Sequence, residues 1–160
     1  IKTGELNDRV ILDTEEKITI AGLQDRSAKL YKTGSLVIAM YGATIGKTAK
    51  LGIDATTNQA CAVLFDIKNE LVLTDYLGEF LQTETENLKR LAYGSAQPNL
   101  NAGIMANYKV PLPPLPKQKE IISELHKLKS KIEELKTAAS LEKSTAIAEF
   151  EKTIFDQYED

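Results

Sequence analysis

The chain has 160 residues, of which 42% are apolar and 27% are charged. This is enough apolar material to bury one core of ordinary size, which excludes a disordered tail and favours one domain with an appendage. The single cysteine, Cys61, excludes an internal disulfide, and no apolar run approaches the ~18 residues of a membrane span. We therefore expect a cytoplasmic protein without a membrane segment.

The charged residues are unevenly distributed along the chain. The formal net charge of −3 argues against a generally basic nucleic-acid binder. Two stretches, 26–53 and 87–119, nevertheless contain basic residues and no acidic residue. Either stretch alone fits a solvated surface, but the two together predict a shared basic face that attracts phosphate. The basic residues are Arg26, Lys29, Lys32, Lys47 and Lys50 in the first stretch, and Lys89, Arg90, Lys109, Lys117 and Lys119 in the second.

The first part of the chain is typical of mixed α and β structure. Thr19 is a suitable N-cap for a helical turn over 20–25. Gly42 and Gly46 bracket a turn between two apolar segments. Three segments predict the strands of a small antiparallel or mixed sheet: 36–41, 48–53 and 60–66.

A helix and a polar loop follow the predicted strands. Thr74 is a suitable N-cap for one helix over 75–91, in which apolar residues recur on one face. The next segment, 93–101, is polar and predicts a loop. Its amides, on Gln97, Asn99 and Asn101, are of the type that reads adenine in the major groove, although such amides are more often part of a plain turn.

The chain changes character at 111–116, where four prolines occupy six positions and stop both a helix and a central strand. We therefore expect a folded domain over 1–112 and a long helix over 113–160. Apolar residues recur in this helix at alternating spacings of four and three, then shift to a displaced face. At ~1.5 Å per residue the helix is far longer than the domain, so its apolar seam predicts a partner helix. The predicted partner interface consists of Ile121, Leu125, Leu128, Ile132, Leu135, Ile147 and Ile154.

The segment 42–48, GATIGKT, invites comparison with the phosphate-binding loop of nucleotide-binding proteins. It is one residue short of that pattern, and a strand is predicted after it where a nucleotide loop must open a helix. The same residues fit a strand, turn and strand whose tip enters a DNA groove, or an ordinary hairpin with a solvated tip.

We expect neither a catalytic residue nor a metal ligand in this chain. The single histidine, His126, lies in the predicted long helix, and Cys61 lies in a predicted strand. Without a histidine in the first domain, a serine or cysteine nucleophile has no histidine base. The carboxylates are scattered, so an acid–base pair or a metal site has no positive signal.

Six segments, taken in order, resemble the target-recognition domain of type I restriction-modification specificity subunits. The resemblance extends over nearly the whole chain, with the long helix after the last segment. The six segments are 1–6 (IKTGEL), 14–19 (TEEKIT), 39–47 (AMYGATIGK), 56–61 (TTNQAC), 94–100 (GSAQPNL) and 113–118 (PPLPKQ).

The resemblance implies an α+β domain that reads one half of a split double-stranded DNA sequence, with a helix that docks partner subunits. The partners would be adenine methyltransferase subunits, which use S-adenosylmethionine, and a motor-nuclease subunit, which uses ATP and Mg²⁺. A complete specificity subunit resembles two such domains joined by two helices, so this chain would be a fragment or a half-subunit that pairs with a second copy. The alternative that remains open is a signalling or structural adaptor with a dimerising coiled coil.

The basic stretches, the turn and the polar loop supply the candidates for DNA contact. These are Arg26, Lys29, Tyr41, Thr44, Lys47, Lys50, Ser95, Gln97 and Asn99.

Overall fold

The computed structural model describes residues 1–7, 10–24, 28–92 and 99–156. The chain divides into two compact units, Ile1–Lys119 and Glu120–Asp160. The first unit is α+β, as predicted, with short helices flanking a four-stranded sheet. The second unit belongs to the long C-terminal helix.

The sheet is mixed, with the strand order β1-β3-β2-β4. β2 pairs antiparallel with both β3 and β4, whereas β1 pairs parallel with β3. Three of the strands were predicted, although each is shorter than its apolar segment. The remaining strand, β1, has only two residues and was not predicted from the sequence. The strands are β1 (Val10–Ile11), β2 (Leu36–Ala39), β3 (Thr48–Leu51) and β4 (Cys61–Leu64).

Both faces of β2 are buried, which is why its sequence is apolar without alternation. Val37 and Ala39 pack into one cluster with Leu51 of β3. Leu36 and Ile38 pack into a second cluster, on the opposite face, with residues of the helices that cover the sheet. The sheet therefore forms the middle layer of the first unit.

In the part of the chain that the structure describes, four short α-helices precede the long one. The first was predicted: the Thr19 hydroxyl accepts a hydrogen bond from the Gly22 amide at 3.1 Å and caps the helix. The fourth was not predicted. The helices are α1 (Ile20–Gln24), α2 (Thr74–Thr83), α3 (Thr85–Leu91) and α4 (Ala102–Ala106).

The prediction of one helix over 75–91 is wrong, because the helix breaks at Glu84 into α2 and α3. The hydroxyls of Thr83 and Thr85 donate to the carbonyls of Phe80 and Gln82 at 2.7 and 2.8 Å. These local hydrogen bonds compete with the helical ones and favour a change of direction.

The predicted capping role of Thr74 is also wrong. Thr74 is the first residue of α2, and the N-cap position is Leu73. The Thr74 hydroxyl lies 3.4 Å from Asn69 Oδ1, outside the helix. Capping by a side chain is replaced here by a long-range contact, since the Leu73 amide donates to Gln118 Oε1 at 2.8 Å.

The predicted long helix is present as α5 (Leu115–Asp156). At ~1.5 Å per residue its 42 residues span about 63 Å. In the second unit the side chains of Leu128, Ile132 and Leu135 are 61%, 49% and 58% exposed. The second unit therefore presents large apolar side chains to solvent along the predicted seam.

Candidate nucleic-acid interface

A tight turn joins β2 to β3 and carries the residues singled out from the sequence. Gly42 and Gly46 have φ values of 58° and 86°, a region that glycine adopts without strain. The turn is closed by hydrogen bonds from the Gly46 amide to the Ala39 carbonyl, at 3.2 Å, and from the Lys47 amide to the Thr44 carbonyl, at 3.0 Å. A strand follows the turn, as predicted, where a nucleotide-binding loop would open a helix.

The turn is anchored to the helices on one face of the sheet. Ile45 is only 1% exposed and packs into the cluster beneath α2 and α3. Gly46 lies against Thr85, at the start of α3, so closely that a Cβ on Gly46 would be 2.6 Å from the Thr85 hydroxyl oxygen. Both contacts fix the position of the turn.

The solvent side of the turn is polar. Lys47 is exposed, and Tyr41 and Thr44 are half-buried. The Thr44 hydroxyl donates to the Tyr41 carbonyl at 2.9 Å, which leaves its oxygen able to accept a hydrogen bond. The turn thus combines one exposed cation with a positioned acceptor.

The polar segment before α4 reaches the same end of the sheet. Asn99 forms an antiparallel bridge with Tyr41, and the Leu100 amide donates to the Met40 carbonyl at 2.9 Å. Leu100 is 1% exposed and anchors the segment in the core. Four of the predicted DNA-contact residues are therefore neighbours: Tyr41, Thr44, Lys47 and Asn99. Ser95, Gln97 and Arg26 lie outside the described residues.

The third amide considered in the sequence, Asn101, caps α4. Its Oδ1 accepts a hydrogen bond from the Ile104 amide at 2.9 Å. Asparagine three residues before an apolar pair is a recognisable N-cap signal, and it would have predicted α4. Asn99, two residues earlier, differs: its Oδ1 is buried, and none of the described residues donates a hydrogen bond to it.

Lys50 lies apart from the turn residues. It pairs in register with Leu36 at the start of β2, and its ammonium is 2.5 Å from Asp75 Oδ1 at the start of α2. Its side chain is 31% exposed. The structure therefore gives Lys50 an ion-pair partner on the helical face of the sheet, and its predicted DNA contact stays a prediction.

Lys29 lies toward the other end of the sheet. Its ammonium is 3.7 Å from the centre of the Phe65 ring, and Phe65 follows β4 where that strand pairs with Leu36. The turn, by contrast, begins after Ala39, at the opposite end of β2. Lys29 and Lys47 therefore lie toward opposite ends of the four-residue strand β2, and the predicted shared basic face stays a prediction. The Phe65 ring beneath Lys29 was missed from the sequence.

Ion pairs hold further charges of the first basic stretch. Lys32 donates to Asp54 at 2.6 Å, and the Thr33 amide donates to the same carboxylate at 2.9 Å. The hydrogen bond from Lys32, and then that from Thr33, hold the pKa of Asp54 below its usual value. Lys47, in contrast, is exposed at the turn. It has no ion-pair partner among the described residues, unlike Lys32 and Lys50.

Cys61 and His126, which the sequence analysis considered for catalysis and metal binding, lie where the sequence predicted. Cys61 is buried in β4, and burial raises the pKa of its thiol to about 11. His126 is exposed on α5. Over residues 1–7, 10–24, 28–92 and 99–156, His, Cys, Asp and Glu form no group of three or more that could hold a metal ion. The helices in those ranges include none that is long and apolar enough to cross a bilayer.

The chain is similar to known proteins along most of its length. The family described as the type I restriction modification DNA specificity domain matches residues 1–143. The type I restriction enzyme MjaVIII specificity subunit of Methanocaldococcus jannaschii is 28% identical over 109 residues, covering 64% of this chain and 26% of that protein. The chain thus spans about a quarter of that relative.

A solved structure shares the fold. It comes from work on the structural basis of complex assembly and conformational transition of the type I R-M system. The TM-score is 0.73 at 20% sequence identity, over 98% of this chain and 37% of that chain. The family match covers well over half of the residues, so the chain belongs to the type I restriction-modification DNA specificity domain family.

Proposed function

We propose that this chain reads one half of a bipartite double-stranded DNA target, using the turn between β2 and β3 together with Asn99. The observation that carries the proposal is the Tyr41–Asn99 bridge, in a chain of the DNA specificity family. This bridge joins two polar segments that are distant in sequence. Their combination places an exposed cation, hydroxyls and the half-buried Asn99 at one end of the sheet.

The chemistry of this surface suits a duplex. Lys47 is exposed and can contact a phosphate, which sets the position of the protein on the DNA. Thr44 and Asn99 carry groups that form hydrogen bonds with base edges in the major groove. The contacts of Ile45 and Gly46 hold the turn in place, so binding would require little ordering of the backbone.

We further propose that catalysis belongs to partner subunits. The relative from Methanocaldococcus jannaschii is the specificity subunit of a type I restriction enzyme. By analogy, adenine methyltransferase subunits with S-adenosylmethionine would modify the target, and a motor-nuclease subunit with ATP and Mg²⁺ would cleave unmodified DNA. This chain would select the site without performing chemistry.

The long helix would dock another helix. In the second unit most seam residues are exposed, Leu125 being half-buried, and leaving such side chains in water costs about 1.5–3 kcal/mol each. We propose a second copy of this helix as the occupant, because the spacings of four and three repeat over several turns. Pairing of two copies would also supply the second half of a bipartite reader.

Charge reversal at the turn tests the DNA-reading surface. The chain, assembled with its methyltransferase subunits, is measured by fluorescence anisotropy on a duplex selected from a randomised pool by the wild-type complex. Lys47→Glu should weaken binding about tenfold or more and lower the salt dependence by roughly one phosphate contact.

Lys68→Glu is the matched control. Lys68 is exposed and lies just beyond β4, at the end of the sheet opposite the turn. It should leave the affinity near that of the wild type. Equal losses from the two variants, or no loss from Lys47→Glu, would contradict a reading surface at the turn. Failure of the wild type to select any duplex would favour the adaptor alternative.

A further inference from the structure

Asn99 carries a hydrogen-bond acceptor that is buried and unsatisfied. Its Oδ1 is inaccessible to solvent and forms no hydrogen bond with the described residues. Buried polar atoms in folded proteins nearly always have a partner, because an unpaired acceptor has lost its water without replacement. Each exception in a folded protein therefore needs an explanation, and one explanation is a partner that supplies the missing donor.

From Asn99 onward the backbone is held by hydrogen bonds. Asn99 itself bridges to Tyr41, and Leu100 is buried and hydrogen-bonded to Met40. Asn101 then caps α4 through Ile104. Asn99 as a residue is half-buried, and we expect rotation about its side-chain bonds to bring the carboxamide to the surface.

The chemistry of a carboxamide restricts the ligand. Its oxygen accepts one hydrogen bond and its nitrogen donates, which matches the exocyclic N6 amino group and the N7 atom of adenine in the major groove. Guanine and thymine offer no amino donor on that edge, and cytosine offers the amino donor without the neighbouring acceptor. Adenine is the base that satisfies both ends of the carboxamide.

We propose that Asn99 is a specificity-determining residue: its carboxamide turns outward and satisfies its buried acceptor on the N6 amino group of an adenine in the target. This inference rests on the proposed function. It assigns Asn99 a role opposite to that of Asn101, whose acceptor is already satisfied by the cap. In the free chain Asn99 therefore opposes stability, whereas Asn101 supports it.

The first test compares the same substitution at the two positions. Asn99→Leu removes an unpaired buried acceptor, so the thermal midpoint of the free chain should rise by about 3 °C. Asn101→Leu removes a helix cap and should lower the midpoint by a similar amount. If Asn99→Leu lowers the midpoint as Asn101→Leu does, the Asn99 acceptor is satisfied in the free chain and the inference is overturned.

The second test measures recognition of the amino group. The complex with methyltransferase subunits is titrated with the selected duplex and with duplexes in which one adenine at a time is replaced by purine, which lacks the N6 amino group. The wild type should lose about tenfold in affinity, or about 1.4 kcal/mol, at one adenine. Asn99→Leu should bind the intact duplex about tenfold more weakly and show no further loss at that adenine.

The outcomes separate the inference from the proposed function. If the wild type and Asn99→Leu lose the same affinity at every replaced adenine, Asn99 does not read the amino group, although the chain still reads DNA. If the wild type selects no duplex at all, the proposed function fails and the inference fails with it.

Discussion

Tyr41 and Asn99 pair across an antiparallel bridge, which places the polar segment before α4 beside the turn between β2 and β3. The neighbouring hydrogen bond from Leu100 to Met40, at 2.9 Å, extends this pairing by one residue. The proposed reading surface therefore depends on a long-range backbone contact. Substitutions that move the turn should disturb the surface without removing any side chain that faces DNA.

Gly46→Ala should destabilise the first unit by about 3 kcal/mol. The alanine would have to adopt a φ of 86° and would place its Cβ 2.6 Å from the Thr85 hydroxyl oxygen. Gly34→Ala isolates the backbone contribution, because Gly34 has a φ of 87° and open space around it. Gly34→Ala should lower the free energy of unfolding by about 1 kcal/mol. Urea denaturation measures both, and equal losses would show that the Thr85 contact is unimportant.

Gln118→Leu should destabilise the first unit by about 3 kcal/mol. Gln118 is fully buried; its Oε1 accepts from the Leu73 amide at 2.8 Å, and its Nε2 donates to the carbonyls of Leu71 and Pro113 at 2.9 and 2.8 Å. Leucine would leave all three backbone groups without that partner. Gln59→Leu, at an exposed position, is the control and should change stability little. Chemical denaturation that gives the two variants the same free energy of unfolding would refute the role of Gln118.

The apolar seam of α5 predicts self-association. Leu128→Asp combined with Ile132→Asp should raise the dissociation constant of a dimer about 100-fold or more, because both side chains would be buried in the pair. His126→Asp combined with Ser130→Asp adds the same charges at the same spacing, at exposed positions off the seam. Sedimentation equilibrium should show a dimer for the wild type and the control, and a monomer for the seam variant. A monomeric wild type would eliminate pairing between copies.

The thiol of Cys61 predicts a loss of stability at high pH. Burial raises its pKa from 9.0 to about 11, so the folded chain favours the neutral thiol. The contribution of the thiol to the free energy of unfolding is fully present below pH 9. It declines as the pH rises through about 11. The difference in unfolding free energy between the wild type and Cys61→Ala should therefore shift against the wild type between these values. A difference that stays constant from pH 8 to pH 11 would show that the thiol is not buried as described.

Local sequence signals predicted most of the fold. The apolar run of β2 is buried on both faces, and Gly42 and Gly46 adopt the positive φ values that a tight turn requires. Thr19 caps α1, and the prolines precede α5. In each case the residues that determine the structure are adjacent in sequence.

The features that the sequence did not predict depend on contacts between distant residues, or on side-chain hydrogen bonds that compete with those of a helix. β1 exists because Val10 and Ile11 pair with β3, which no local pattern in two residues reveals. The break at Glu84 results from hydroxyls that compete for helical carbonyls. Within the candidate site, the meeting of Asn99 with Tyr41 and the ion pair of Lys50 with Asp75 are long-range contacts, which composition and local patterns do not reveal.

Photo-crosslinking reports whether the turn between β2 and β3 contacts the bases of the target. A photoreactive amino acid is placed at Thr44, or at Lys68 beyond the opposite end of the sheet, and the assembled complex is irradiated on the selected duplex. If the turn reads DNA, crosslinks should form from position 44 to bases within the selected sequence and none from position 68. Crosslinks from position 68 alone, or equal yields from both positions, would contradict a DNA-reading surface formed by the turn and Asn99.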